Sequence, residues 1–521
     1  MSTDDVATSL LHDPLAIRQQ AEQLDHKLII RKQDQRLGLS QNYDPETTVA
    51  ILPALTPGDL GDPGFRATYG LKANYMTGAM ANGIASAELV IAAAEQGWLG
   101  SYGAAGQPIE VVQAAIAHIR AATPHATFAV NLIHSPSEPA HEESLVDLLL
   151  AEQVPVVEAS AYLDLTAAAV RYRVKGLQQA DDGSIVIPHR IIAKASRVEV
   201  ASRWLSPPPQ KLLDQLLSAG AITNAEATLA QRISMADDLI AEADSGGHTD
   251  NRPLVALLPT FINLRDRLQA KLQLPQPARV GAAGGLGTPQ AVAGAFALGA
   301  AFVVTGSVNQ ACVESGSSDQ ARSMLAAAGQ ADTIMAPAAD MFEMGVKLQV
   351  LKRGTMFPMR AGKLYELWRS YGTIEALPAD ERDKLEKQVF RRSLDDIWQE
   401  TEAFWQAREP GVLNRVARDP KQKFALICRW YLGKSSRWAN AGVSDRKVDY
   451  QIWAGPAIGA FNEWTADSHL AAAEQRTIAA VGANLLVGAA LHLRLQGLMQ
   501  AGLQVDQSIQ PQEFSALSDW L

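Results

Sequence analysis

Between about residue 67 and residue 310, short apolar runs alternate with longer runs whose apolar positions recur at helical spacing. The short runs, 69–80, 98–102, 126–133, 154–160, 189–195, 237–243, 278–284 and 301–305, predict strands. The intervening stretches 86–97, 107–122, 140–152, 161–173, 225–235 and 288–299 predict helices, and 197–219 predicts two short ones around Pro207–Pro209. Strand alternating with helix implies a parallel sheet. Eight such units fit a closed barrel, which typically takes about 250 residues, better than an open sheet. Upstream, 14–28 predicts a helix and 48–55 a strand or packing segment, followed by a loop at Gly58, Gly61, Pro63 and Gly64. After about residue 311 the strand signals fade. Residues 318–329, 340–352, 361–371, 379–407, 421–432 and 469–501 all read as helices. The expected architecture is α/β: an N-terminal leader or cap over 1–62, a (β/α)8 TIM barrel over 63–312, and a mostly helical C-terminal region over 313–521 that supplies lid, substrate and partner contacts.

Composition narrows the classes. Of 521 residues, 47% are hydrophobic and 20% charged, which allows a large core, and the net charge of −10 argues against nucleic-acid binding. Cys312 and Cys428 are the two cysteines. They form neither a CxxC nor a Cys/His cluster, so no metal site is expected, and a reduced cytoplasmic setting is the default. The N-terminus lacks the charged-then-apolar pattern of a signal peptide, and no membrane span is expected because the long apolar runs are broken by Gly, Gln or His. Tryptophan gathers in the C-terminal third, where helix packing is the plainest account of it.

In barrels, chemistry sits at the C-terminal strand ends and phosphates favour the loops after strands seven and eight. Strand seven runs into Gly281–Gly287, which includes Gly284 and Gly285, and then Thr288-Pro289 at a helix start. Strand eight runs into Thr305-Gly306-Ser307. Glycine lets backbone N–H groups approach an anion, and a helix N-terminus adds a favourable dipole. Two such loops on consecutive strands point to a bound phosphate, and no early GxGxxG points to a dinucleotide fold.

After strand six, Gly246 and Gly247 would let the chain pass close to a flat ring, and His248 would project into the barrel mouth as a proton donor or carbonyl-orienting group. The alternative is a loop histidine bonded to Asp244 or Asp250. Asn131 ends strand three, Glu158 and Ser160 end strand four, and Lys194 ends strand five. Lys194 fits the pyrimidine edge of a flavin, or an ion pair with Glu158 or Glu242, and the two readings are compatible. Gly78, Ala79 and Met80, on strand one, are mostly small residues that would admit a ring face.

The runs YMTGAMANGIAS, FAVNLIHSP, AKASRVEVA, EADSGGHTDNRP and GAAGGLGTP resemble the PfaD family, the stand-alone enoyl reductases of polyunsaturated fatty acid synthases and trans-acyltransferase polyketide synthases. The resemblance continues through ADTIMAPAADMFEMGVKLQVLKRGTMFPMRAGKLYELW and FALICRWYLGKSSRWANAG to DYQIWAGPAIGAFNEW and covers roughly residues 60 to 470. More distantly, the barrel resembles nitronate monooxygenases and FMN-type enoyl reductases. The resemblance implies FMN, NADPH as reductant, and an enoyl thioester on acyl carrier protein as substrate. It implies phosphate contacts at Gly284, Gly285, Gly306 and Ser307, ring contacts at Gly78, Ala79, Met80, Asn131, Lys194, Gly246 and Gly247, and an active-site histidine at His248.

Residues 344–365 hold Lys347, Lys352, Arg353, Arg360 and Lys363 without an acid, a basic face that would steer an acidic carrier protein. The alternative is a solvated or paired helix face. Two other functions compete: a nitronate monooxygenase-like flavin oxidase, and a non-catalytic synthase-associated binding protein. Acyl chain length, double-bond position and oligomeric state, a homodimer included, are left open.

Overall fold

The computed structural model describes residues 10–134 and 138–513. The start of the leader (1–9), residues 135–137, which include the last two of the FAVNLIHSP run, and residues 514–521 lie outside the described residues. Near the N-terminus, the helix Pro14–Ala21 is capped by Asp13, whose carboxylate accepts from Ala16 N at 2.8 Å. The helix is shorter than expected. The strands β1 (Leu28–Gln33), β2 (Arg36–Ser40) and β3 (Thr48–Leu52) follow it in an antiparallel sheet of order β2-β1-β3. Leu28, Ile30 and Leu39 bury into the main core.

The barrel begins with β4 (Tyr75–Thr77), β5 (Leu99–Tyr102), β6 (Ala129–Ile133) and β7 (Val156–Ser160). A small hairpin, β8 (Gln178–Gln179) with β9 (Ile185–Val186), precedes β10 (Arg190–Ala195) and β11 (Asp238–Glu242). A two-residue strand, β12 (Gly247–His248), leaves the barrel before β13 (Arg279–Ala283) and β14 (Val303–Thr305), and β14 pairs with β4 to close eight parallel strands. Each barrel strand lies inside its predicted run. The first run is mostly not strand: its beginning completes the helix Pro63–Tyr69, which stops at Gly70 in the left-handed conformation (φ 68°).

That helix builds the barrel floor. Phe65 stacks on Phe302 with ring centroids 4.0 Å apart. At the first residue of β11, fully buried Asp238 accepts from Arg279 Nε at 2.6 Å and from the Tyr69 hydroxyl at 2.5 Å. Burial pushes the Asp238 carboxyl up, and the Arg279 bond only partly offsets it. Gly281 belongs to this floor and not to a phosphate loop, because a Cβ there would come within 2.5 Å of the Phe302 ring.

The outer helices start at hydroxyl caps such as Ser86, Thr166, Thr223 and Thr288. The helix Leu254–Leu272 was not expected, since Pro253 and Pro259 interrupt its pattern. Pro259 lies in its second turn, where the missing N–H removes the bond to the Val255 carbonyl.

Beyond the barrel, β15 (Thr333–Pro337) and β16 (Lys347–Leu351) form a hairpin that recruits β12 into a sheet of order β12-β16-β15. The helix expected over 340–352 is therefore absent. Pairing on both edges of Lys347–Leu351 and burial of Leu348 and Val350 override the local helical pattern. The helices Phe357–Ser370, Leu394–Arg408 and Pro420–Ala441 build a second core with Phe357, Leu364, Ile397, Phe424 and Tyr431. The long helix expected over 379–407 breaks at Arg391 (φ 56°), and Ser393 then caps Leu394–Arg408.

The last helix, Ile478–Gln500, returns to the barrel and is long and apolar enough to cross a membrane (mean hydropathy 1.6). Its most apolar window is 78% buried inside the fold, as in the core helix of a globular domain. Its Arg494 donates to the Leu24 and His26 carbonyls at 2.7 and 2.8 Å, tying it to the N-terminal segment.

Candidate active site

One cavity of about 500 Å³ opens between the C-terminal ends of the barrel strands and the region 333–457 packed over them, which forms a cap. Gly78, Ala79, Met80, Asn131, Lys194, Gly246, Gly247, His248, Gly284, Gly285, Gly306 and Ser307 all line it. Gly284 and Gly285 take φ of 90° and 76° in succession, and a Cβ on Gly284 would meet the Ala243 carbonyl carbon at 2.7 Å. Around Gly285 and Gly306 the Cβ direction is open space. Ser307 begins the short helix Ser307–Gln310, and its hydroxyl oxygen accepts from Gly455 N at 2.9 Å, which leaves its proton free to donate. Ser245, which also lines the cavity, has a buried Oγ with no hydrogen-bond partner among the described residues. Such a set of glycine backbone and spare hydroxyl donors fits a phosphate, so the residues present fit FMN.

Strands three to six supply a charged floor. The Lys194 ammonium lies 3.4 Å from Glu158 and 3.1 Å from Glu242, so both anticipated ion pairs form. Burial opposes its charge, but Glu242 and then Glu158 outweigh burial and hold the pKa above the ordinary lysine value. Fully buried Glu158 also accepts from Ala79 N at 2.7 Å. Asn131 Nδ2 donates to the Glu158 carbonyl at 3.0 Å and to Ser160 Oγ at 2.9 Å, which fixes the amide at the cavity wall.

His248 Nε2 lies 3.0 Å from Asp340 Oδ2, a partner supplied by the cap. Neither expected partner is used. Asp244 accepts from Gln349 at 2.7 Å and from Asn251 at 2.8 Å, and Asp250 pairs with Arg197 and Ser196. Burial lowers the His248 pKa, yet the bond and charge of Asp340 raise it more, and the net direction is up. The Asp340 carboxyl is displaced downward: burial raises it, and the His248 bond outweighs burial. Asp340 lies in a stretch read as helix, so nothing in the local pattern singled it out.

The cap closes the cavity with Trp405, Trp430 and Trp453. Arg408, at the end of Leu394–Arg408, forms an ion pair with Glu138 on the barrel side. His134 and Glu142 face the same cavity from beyond β6. The tryptophans were expected as helix-packing core, and Arg408, Glu138, His134 and Glu142 were not singled out from sequence. Their signal is long-range pairing, which local periodicity does not carry. The basic run 344–365 is not one face: Arg360 pairs with fully buried Asp449, Lys363 with Glu381 at 3.1 Å, and Arg353 with Asp332 at 3.2 Å. Lys347 and Lys352 stay exposed, without an ion pair among the described residues. Both cysteines are buried, and burial pushes both thiols up.

A family model described as nitronate monooxygenase matches residues 71–361, and one described as the inserted helical domain of acyl-carrier-protein S-malonyltransferase matches residues 371–450. The chain is 51% identical over 455 residues to a polyunsaturated fatty acid synthase component of Thraustochytrium sp., covering 86% of this chain and 30% of that one. It thus spans less than a third of that relative's length. It is 42% identical over 459 residues to polyketide biosynthesis protein PksE of Bacillus subtilis, covering 88% of this chain and 60% of that one. Among solved structures, the enoyl reductase domain of MlnA from the macrolactin biosynthesis cluster of Bacillus amyloliquefaciens superposes with a TM-score of 0.81 at 36% identity, covering 85% of this chain and 99% of that one.

Proposed function

We propose that this chain, which belongs to the nitronate monooxygenase family and within it to the PfaD-like enoyl reductases, uses FMN and NADPH to reduce enoyl thioesters on acyl carrier protein domains. The setting is cytoplasmic polyunsaturated fatty acid or polyketide biosynthesis. The observation that carries this reading is the convergence, on one capped cavity, of the glycine loops after the last two strands and a histidine held by a cap carboxylate. Residues 371–450 resemble the helical insertion of a transferase named for acyl carrier protein, which supports a carrier-borne substrate for the lid they form.

Gly284, Gly285, Gly306 and Ser307 would hold the FMN phosphate, and Gly78, Ala79, Met80, Asn131, Lys194, Gly246 and Gly247 would bound its ring. When bound, FMN supplies hydride transfer from NADPH to the enoyl β-carbon. His248 binds the thioester carbonyl and stabilises the charge that develops there, with Asp340 setting its orientation. Trp405, Trp430 and Trp453 exclude water from the reacting carbons.

The test is anaerobic. NADPH should bleach the flavin of the purified protein, and crotonyl thioester should restore its absorbance. Reoxidation by a nitronate or oxygen but not by the thioester would favour the oxidase reading of the same barrel. A colourless protein that takes up no FMN would favour a binding role.

A further inference from the structure

A second histidine–carboxylate pair faces the cavity from the other side of the barrel mouth. His134 directly follows β6, the third barrel strand, whereas His248 follows β11, the sixth. Glu142, on the helix Pro139–Ala151, is only 4% exposed. It receives the Tyr162 hydroxyl at 2.9 Å, the Thr166 hydroxyl, and His134 Nδ1 at 2.9 Å. An ionised carboxylate only accepts, so the His134 proton sits on Nδ1 and Nε2 is left over. No hydrogen-bond partner for Nε2 is found among the described residues. The ring is stacked on Tyr162 with centroids 5.4 Å apart, and Tyr162 meets Trp204 edge-on at 5.3 Å. Tautomer and ring plane are thus set by buried groups, while Nε2 keeps no partner on a residue that lines the cavity. A histidine that merely tied helix to strand would not need that open nitrogen.

We infer that His134 is the acid that protonates the α-carbon during enoyl reduction, with Glu142 as its positioning residue. This rests on the enoyl reductase reading above. Hydride adds to the β-carbon with its electron pair, and the C=C π pair moves toward the α-carbon and thioester oxygen. Nε2 first takes a proton from solvent; that Nε2–H bond then breaks as its proton forms the new α C–H bond, and the ring returns to the neutral Nδ1–H form. NADPH is oxidised and the alkene reduced, with one proton taken from water. His248 is left with the carbonyl. The charged groups around His134 are Glu142, Glu138 and His141 on its own side and Arg408 from the cap, which is paired with Glu138. Tyr162 completes the shell.

The experiment uses FMN-loaded wild type, His134→Gln, Glu142→Gln and His248→Ala, each reduced anaerobically with NADPH and mixed with crotonyl-CoA in stopped flow. The runs are made in H2O and D2O, from about pH 5 to about pH 9. In His134→Gln, reduction by NADPH should be unchanged, while reoxidation slows about 100-fold and loses the pH dependence of wild type. Glu142→Gln should slow reoxidation less and move its pH profile. A wild type that crotonyl-CoA cannot reoxidise removes the reductase reading and this inference with it. Wild-type-like reoxidation of His134→Gln overturns the inference alone. Loss of flavin reduction in both His134→Gln and Glu142→Gln would assign the pair to the fold and overturn the proton-donor role.

Discussion

Replacing Asp340 with asparagine isolates the contribution of the cap to the chemistry of the barrel. Asp340 Oδ2 sits 3.0 Å from His248 Nε2, and asparagine keeps the size and a hydrogen-bonding oxygen but removes the charge. Among the influences on His248, burial acts first and downward, the bond and charge of Asp340 act upward, Glu242 adds to them, and Lys194 subtracts. Without Asp340, burial and Lys194 face Glu242 alone, so His248 should titrate below its wild-type midpoint. Opposite unit charges about 4 Å apart attract by about 4 kcal/mol at an effective dielectric near 20. The Asp340 side chain is 40% exposed, so solvent screening leaves about 1 kcal/mol.

The sign of the pH effect follows. A histidine whose folded pKa is raised adds stability that is complete below its ordinary value of 6.5 and is lost as pH rises through the folded value. Wild type should therefore lose about 1 kcal/mol more than Asp340→Asn as the pH rises from about 6 to about 8. Urea denaturation at the two pH values measures this difference, and the His248 ring resonance followed by NMR gives the midpoint directly. An unchanged midpoint in Asp340→Asn would refute the reasoning.

Gly284→Ala forces a side chain into φ 90° and a Cβ to 2.7 Å from the Ala243 carbonyl carbon. A cost of about 1–3 kcal/mol at that loop should weaken FMN by about fivefold or more in a flavin fluorescence titration. Unchanged affinity would remove the loop from the phosphate site. Asp238→Asn leaves Arg279 at the barrel floor without its carboxylate and should cost about 3–5 kcal/mol of unfolding free energy in urea, leaving the flavin spectrum of the folded protein unchanged. Lys347→Glu with Lys352→Glu, the exposed cations of the basic run, should slow turnover of carrier-bound crotonyl thioester more than of crotonyl-CoA. Equal slowing would refute docking there.

Much of the barrel was legible because each strand–helix unit makes its pattern locally. Ile191, Ile192 and Ala193 are buried whichever neighbour they meet, so the apolar run alone marks β10. The glycine loops were legible for a related reason: a backbone that must turn at Gly284 and Gly285 shows its requirement in residue type. Long-range pairing left no such mark. Lys347–Leu351 reads as helix until β15 and His248 flank it, and Asp340 opens the same misread helical stretch with nothing to mark its reach to His248. Gly281 erred in the opposite direction. Its residue type suggested a phosphate contact, but the Phe302 ring requires it.

These misses share a cause that bears on the site itself. His248 owes its place to two partners remote in sequence: β12 pairs Gly247 with Gln349 and His248 with Leu348, while Asp340 holds the ring. Gln349 also donates to Asp244 at 2.7 Å and to the Ser245 carbonyl at 2.8 Å, which stitches the loop after β11 to the cap. Above the loops after β11 and β13, Ala454 backs Gly246 and the Ala457 carbonyl backs Gly287, each too close for a side chain. The loops at the barrel mouth are therefore shaped from above as much as from below. A barrel without residues 333–457 would keep its floor, where Asp238, Arg279 and Tyr69 are all barrel residues, and would lose the contacts that aim His248. Stability of the core and competence of the site thus rest on different parts of the chain. That separation is why perturbing Asp238 is expected to change unfolding while perturbing Asp340 changes the titration of a single histidine.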